Sequence, residues 1–176
     1  KRIKRKLILK MTKISELSYP REFWEYFQKI SEIPRCSNNE EEIRKYIKEE
    51  AEKYNFSTEI DDVGNLMVNL FLKQEVNKKT VILQSHFDMV CEKNSTSSHD
   101  FAKDPLKLKI IERNGDKWVT ADSTSLGADN GVGLAYSLVL MKLIYEKKLC
   151  FPNLNIKLLF TVNEEGADVC VLEEIV

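Results

Sequence analysis

The chain has 176 residues, enough for one domain with its own core, and its 43% hydrophobic and 31% charged content is ordinary for a soluble globular protein. The formal charge of −1 hides an uneven distribution, because Lys1, Arg2, Lys4, Arg5, Lys6, Lys10 and Lys13 all precede the first acid, Glu16. Removing those seven from 27 leaves 20 basic residues against 28 acids, which makes the remainder a poor nucleic-acid binder because backbone contacts need clustered positive charge. The basic start itself could be a nucleic-acid or anionic-membrane tail.

The apolar run Leu7-Ile8-Leu9 is too short for a signal-peptide core or a membrane span, so no membrane partner is expected. Met11 opens a more ordinary N-terminus, and residues 1–10 are expected to be a basic extension, disordered or extraneous. Cys36, Cys91, Cys150 and Cys170 are widely spaced, with no Cys-x-x-Cys. That spacing predicts neither a zinc knuckle nor a disulfide scaffold, and with no secretion signal it fits a reducing cytoplasm.

Pro20 can pre-set a first helical turn, after which Phe23, Trp24, Phe27 and Ile30 recur at helical spacing until Ile33-Pro34-Arg35-Cys36 breaks the pattern. Ser37 and Glu40 stand three apart, the spacing of a capping box, ahead of a second helix whose face carries Ile43, Tyr46, Ile47, Ala51 and Tyr54. This whole first segment reads as scaffold. Phe56 to Ile60 predicts a strand, Asp61 to Asn65 a turn, and Leu66 to Leu72 the returning strand. Thr80 to Leu83 is a continuous apolar run of the kind buried on both faces of a parallel or mixed sheet.

Glu92 to Asp104 is polar loop. Leu106 to Ile111, Asn114-Gly115 and Trp118 to Ala121 predict a hairpin closed by a type I′ turn. A helix is expected from about Asn130 to Lys148, with Gly131 and Gly133 allowing close approach near its start. Ile156 to Val162 predicts another buried strand, and the apolar stretch Val169 to Val176 ends the chain. Helix, strands, helix and strand in this order favour an α/β sandwich with polar stations on loops at strand ends.

Three such stations stand out: His86 and Asp88 after the third strand, Asp129 in a glycine-flanked turn, and Glu164-Glu165 after the last strand. Residues i and i+2 of a strand share a face, so His86 and Asp88 can point to one place. Imidazole is a good zinc ligand, and a neighbouring carboxylate either ligates too or accepts the proton on the other ring nitrogen. Asp129 has two oxygens that could bridge two cations, although a carboxylate at a helix start also serves as a cap. Of the adjacent pair Glu164 and Glu165, one can ligate while the other accepts a proton from water. Each station alone is also ordinary polar surface. Their joint placement at the mouths of successive core elements points to a metal hydrolase.

Ile82 to Lys93 (ILQSHFDMVCEK), Ala121 to Gly133 (ADSTSLGADNGVG) and Phe160 to Gly166 (FTVNEEG) together resemble the dinuclear-zinc aminopeptidase and dipeptidase family. Within it they most resemble the aminoacyl-histidine dipeptidases, also called cytosolic non-specific dipeptidases. Leu17 to Ile47 and the loop around His99-Asp100-Phe101 add to the likeness, which extends over roughly Met11 to Gly166. The resemblance implies an α/β fold, a three-layer αβα sandwich with a mixed sheet, of which residues 11–176 would be the N-terminal part of the catalytic domain. It implies His86 as a ligand of one zinc, Asp88 as its orienting partner, Asp129 as the bridging carboxylate, Glu164 as the general base and Glu165 as a ligand of the other zinc. Two Zn²⁺ ions, with Co²⁺ or Mn²⁺ as substitutes, would serve hydrolysis of unblocked dipeptides, Xaa-His or broader, in a homodimeric cytoplasmic enzyme.

The chain departs from the family pattern at Ser85, where glycine or another small residue is usual, at Ser123, where glycine is usual, at Asn163, in place of a frequent aspartate, and after Glu165, where Gly166 follows directly in place of Thr-Gly. The family takes a further aspartate ligand some two dozen residues beyond its Glu-Glu pair and a histidine near its C-terminus. Asp168 is too close to Glu165 to be that aspartate, and His99 lies in the wrong part of the chain. The expectation is therefore a catalytic domain incomplete at its C-terminal end and inactive by itself. The alternatives are a non-catalytic remnant or a related peptidase or amidohydrolase.

Overall fold

A computed structural model of the chain describes residues 14, 17, 20–71 and 77–166. The basic extension at residues 1–10 and the apolar stretch from Val169 lie outside the described residues. The order of elements is α1 (Arg21–Ser31), α2 (Glu41–Lys53), β1 (Ser57–Ile60), β2 (Leu66–Asn69), β3 (Lys79–His86), β4 (Leu108–Arg113), β5 (Asp116–Ala121), α3 (Ala128–Tyr145) and β6 (Leu154–Thr161). Strands β1, β2, β6 and β3 form a mixed sheet in that order, flanked by helices. β2 runs antiparallel to β1 and β6, while β3 is parallel to β6.

The helices form where apolar residues recur every three or four positions. α1 buries Phe23, Phe27 and Ile30, and the Phe23 ring meets Tyr136 of α3 with centroids 4.7 Å apart. α2 buries Ile43, Ile47 and Ala51. Burying each large apolar side chain contributes about 1.5–3 kcal/mol. Pro20 occupies the N-cap of α1, one position before the helix. The β4–β5 hairpin is paired as expected, with Arg113 opposite Asp116 and both turn residues, Asn114 and Gly115, at positive φ. That is the backbone of a type I′ turn.

Three expectations need correction. β3 is not buried on both faces: Ile82 and Leu83 are 40% and 43% exposed, and burial begins only at Ser85. Among the described strands β3 lies at the sheet edge, paired with β6 alone, so its apolar run marks the strand without marking its cover. Ser37 and Glu40 do not form a capping box. α2 begins with Glu40 at its N-cap and no side-chain cap bond, and both side chains reach elsewhere. Finally, Cys36 and Cys91 form a disulfide with Cα atoms 5.7 Å apart, while Cys150 is free and exposed. Spacing could not reveal that pair, because tertiary pairing of Cys36 with Met89 brings the two segments side by side. The cysteines therefore no longer argue for a reducing compartment.

Among the described residues no helix is long and apolar enough to cross a membrane. The cross-link spans 55 residues, which in the chain-entropy account stabilises the fold by about 4 kcal/mol. Reduction, or the double change Cys36→Ser and Cys91→Ser, should lower the denaturant midpoint accordingly. An unchanged midpoint would show that the cross-link adds nothing.

Candidate metal centre

β3 and β6 run parallel, so their C-terminal ends open at the same edge of the sheet, with His86 opposite Thr161. The Phe87 amide donates to Thr161 O at 2.8 Å, and the fully buried rings of Phe87 and Phe160 stack below with centroids 5.6 Å apart. This pairing delivers the His86-Asp88 station beside the Glu164-Glu165 station. The third station comes from the start of α3. Gly127 takes a left-handed backbone there, Asp129 and Asn130 are non-helical, and the peptide joining those two is cis. Asp129 does not cap the helix. Its Oδ1 lies 3.0 Å from His86 Nε2.

The result is a cluster in which one ligand atom each of His86, Asp129 and Glu165 lies within 4.8 Å of the others. His86 is buried, Glu165 half-buried and Asp129 exposed. Zinc bonds nitrogen and oxygen at about 2.0–2.2 Å, so donors on one ion stand no more than about 4.4 Å apart. The separations in the cluster stand close to that limit, and the donor set of imidazole and carboxylates suits zinc. Glu164 stands beside this group, with Oε2 3.6 Å from His86 Nε2 and its side chain 46% exposed.

Asp88 lies behind the imidazole and is fully buried. Its Oδ1 is 3.2 Å from His86 Nδ1 and also accepts the Glu164 amide at 3.1 Å. Oδ2 accepts the Ser37 hydroxyl at 2.7 Å and the Glu165 amide at 2.8 Å. Burial by itself would raise the Asp88 carboxyl, but these hydrogen bonds outweigh it and hold the group well below the usual carboxylate range. His86 is under opposing pulls too. Burial lowers its pKa, while Asp88, Asp129 and the nearby Glu164 raise it, and the net shift is upward.

The structure also brings to the centre two residues that the sequence placed only in a helix break and a cap, Arg35 and Glu40. Arg35 is 2% exposed. Its Nη1 donates to Phe87 O and Asp88 O, both at 2.9 Å, and its Nη2 donates to Gly127 O. Burial pushes the guanidinium down to about 10 against the opposing pull of Asp88, Asp129 and Glu165, so it remains charged at neutral pH. Glu40 is buried and accepts the amides of Asn38 and Asn163 at 2.9 and 3.0 Å. A buried arginine in a Pro-Arg break between helices was the one available signal, and it reads as an ordinary helix end.

Comparison with known proteins agrees with this geometry. No family model matches the chain. It is 41% identical to the cytosol non-specific dipeptidase of Escherichia coli (strain K12) over 132 residues, which are 74% of this chain and 26% of that protein. The crystal structure of aminoacylhistidine dipeptidase from Vibrio alginolyticus superposes with a TM-score of 0.76 at 38% identity, covering 89% of this chain and 30% of that one. A tripeptidase from Staphylococcus aureus shares the fold at 23% identity, with a TM-score of 0.63 over 82% of this chain and 37% of that one. Fold and site together define a chain of the metallopeptidase class. Over the residues it spans, the chain belongs to the aminoacylhistidine and cytosol non-specific dipeptidase family. It spans about a quarter to a third of the length of these relatives.

Gly127 tests the packing of the centre. Its φ is +65°, and a Cβ there would meet Met89 Sδ at 2.6 Å and crowd the Arg35 guanidinium. Gly127→Ala should therefore cost about 1–2 kcal/mol from the left-handed backbone alone, with a further loss from displacing Arg35. Equilibrium unfolding measures this, and wild-type stability in the variant would contradict the packing described.

Proposed function

We propose that this chain carries the His86, Asp129 and Glu165 portion of a zinc centre whose reaction is hydrolysis of unblocked dipeptides, Xaa-His or broader. The observation that carries the reading is the convergence of those three donors within 4.8 Å, from three separate segments. The substrate class rests on the relatives' names, aminoacylhistidine dipeptidase and cytosol non-specific dipeptidase. A cytoplasmic setting and a homodimer are proposed on the same family ground.

In this reading His86 and Asp129 would hold one zinc, and Asp129 and Glu165 the other. Bound zinc would supply Lewis-acid polarisation of the scissile carbonyl and acidify the attacking water. Asp88 accepts the Nδ1 proton of His86, which fixes the ring with Nε2 turned to the centre. Glu164, half-exposed and beside the cluster, takes a proton from the attacking water and returns it to the leaving amine nitrogen.

A second reading has its own support. If Asp129 is shared, then among the described residues each ion has two protein donors, fewer than the three or four usual for zinc. The 176-residue chain by itself is then catalytically inactive, and turnover needs ligands from further sequence. A related peptidase or amidohydrolase is favoured instead if tripeptides or N-acylated amino acids react better than Ala-His.

Zinc titration of the purified chain separates the roles. Glu165→Gln and His86→Ala should weaken binding by about tenfold or more, whereas Glu164→Gln should leave it near wild type. Absence of zinc binding to the wild-type chain would overturn the metal reading. Measurable Ala-His hydrolysis by this chain, abolished by Glu164→Gln, would overturn its inactivity and establish the catalytic base.

A further inference from the structure

The segment joining α1 to α2 touches all three stations of the proposed centre. Arg35 Nη1 holds the carbonyls of Phe87 and Asp88 at 2.9 Å, and the Met89 amide returns a bond to Arg35 O at 3.0 Å. Arg35 Nη2 holds Gly127 O, two residues before Asp129. Ser37 Oγ donates to Asp88 Oδ2 at 2.7 Å. Glu40 Oε1 accepts the amide of Asn163, the residue before Glu164, and Asn38 Nδ2 donates to Asn163 Oδ1 at 3.3 Å. Asn163 sits at φ 55°, so these contacts hold a left-handed residue at the point where the chain turns toward Glu164 and Glu165.

We infer that residues 35–40 are a brace that sets the spacing of the metal ligands, with Arg35 as its principal positioning residue. The inference rests on the metal reading for its function, but its geometry stands without a metal. The three stations come from β3, the start of α3 and the end of β6, and Arg35, which belongs to none of them, bonds the first two at once. Its planar fork places two nitrogens at fixed separation, so the carbonyls of Asp88 and Gly127 are held at a fixed distance. A lysine is a point donor on a flexible stem and cannot reproduce that span. The close fit of Gly131 points the same way, since a Cβ there would lie 2.9 Å from Arg35 Nη2.

The test uses the full chain and the variants Arg35→Lys, Arg35→Met and Ser37→Ala, the last keeping the test alive if the arginine variants do not fold. Amide hydrogen exchange is followed residue by residue without metal, and Co²⁺ binding is followed by its visible absorption. The brace predicts faster exchange confined to Met89, Glu164 and Glu165 in the arginine variants, and to Glu164 and Glu165 in Ser37→Ala. It also predicts Co²⁺ affinity about tenfold or more weaker, with an altered cobalt spectrum. Arg35→Lys should recover part of the affinity relative to Arg35→Met. Exchange that rises uniformly along the chain, or stays unchanged at those amides, overturns the brace. If the wild-type chain binds no Co²⁺, the metal reading fails, and the exchange pattern alone decides the brace.

Discussion

A carboxylate with no solvent exposure survives in a fold only when its lone pairs are met, and Asp88 is such a group. It receives His86 from its own strand end, Ser37 from the α1–α2 segment, and the amides of Glu164 and Glu165 from the end of β6. Removing any one donor leaves a buried charge under-satisfied, which costs more than the bond itself gives in water. The hydrogen-bonded carboxylate therefore fixes the imidazole and orders the first turn after β6 together. Nearby, the charge of Arg35 balances Asp88 and faces Asp129 and Glu165, so three acids can gather before any cation arrives.

Parallel pairing of β3 with β6 is what makes this possible. In a parallel pair both strand ends open on one side, and side chains from segments some 80 residues apart meet without a long loop. The fully buried Phe87–Phe160 stack lies at that junction, beside the buried Asp88. Burial strengthens each hydrogen bond to Asp88.

Much of the fold was legible because it follows from local rules. Helical spacing marked α1 and α2, Asn114-Gly115 marked the hairpin, and a short apolar run marked β6. His86, Asp88, Asp129, Glu164 and Glu165 were singled out as motif, and the structure places them side by side. What escaped was decided by contacts distant in sequence. Ser37 has the spacing of a cap yet bonds Asp88, 51 residues away, and Cys36 pairs across 55 residues. β3 reads as a buried strand because hydrophobic residues report strand character more reliably than the presence of a neighbour. Arg35 was hidden because nothing local distinguishes a buried guanidinium holding carbonyls from a basic residue at a helix end. The departures from the family pattern also gain a physical reading: Ser123 and Asn163 both adopt positive φ, at 63° and 55°. Asparagine tolerates that conformation better than serine does.

The central claim is that His86, Asp129 and Glu165 are gathered to hold a metal ion. Crystals of the chain grown with zinc, with anomalous scattering recorded at the zinc edge, test it most directly. The account predicts zinc bound at this cluster, one peak bonded by His86 Nε2 and Asp129 and a second by Asp129 and Glu165, with Asp88 still on His86 Nδ1. Zinc bound only elsewhere, or a centre where these three side chains turn away from one another, would contradict it.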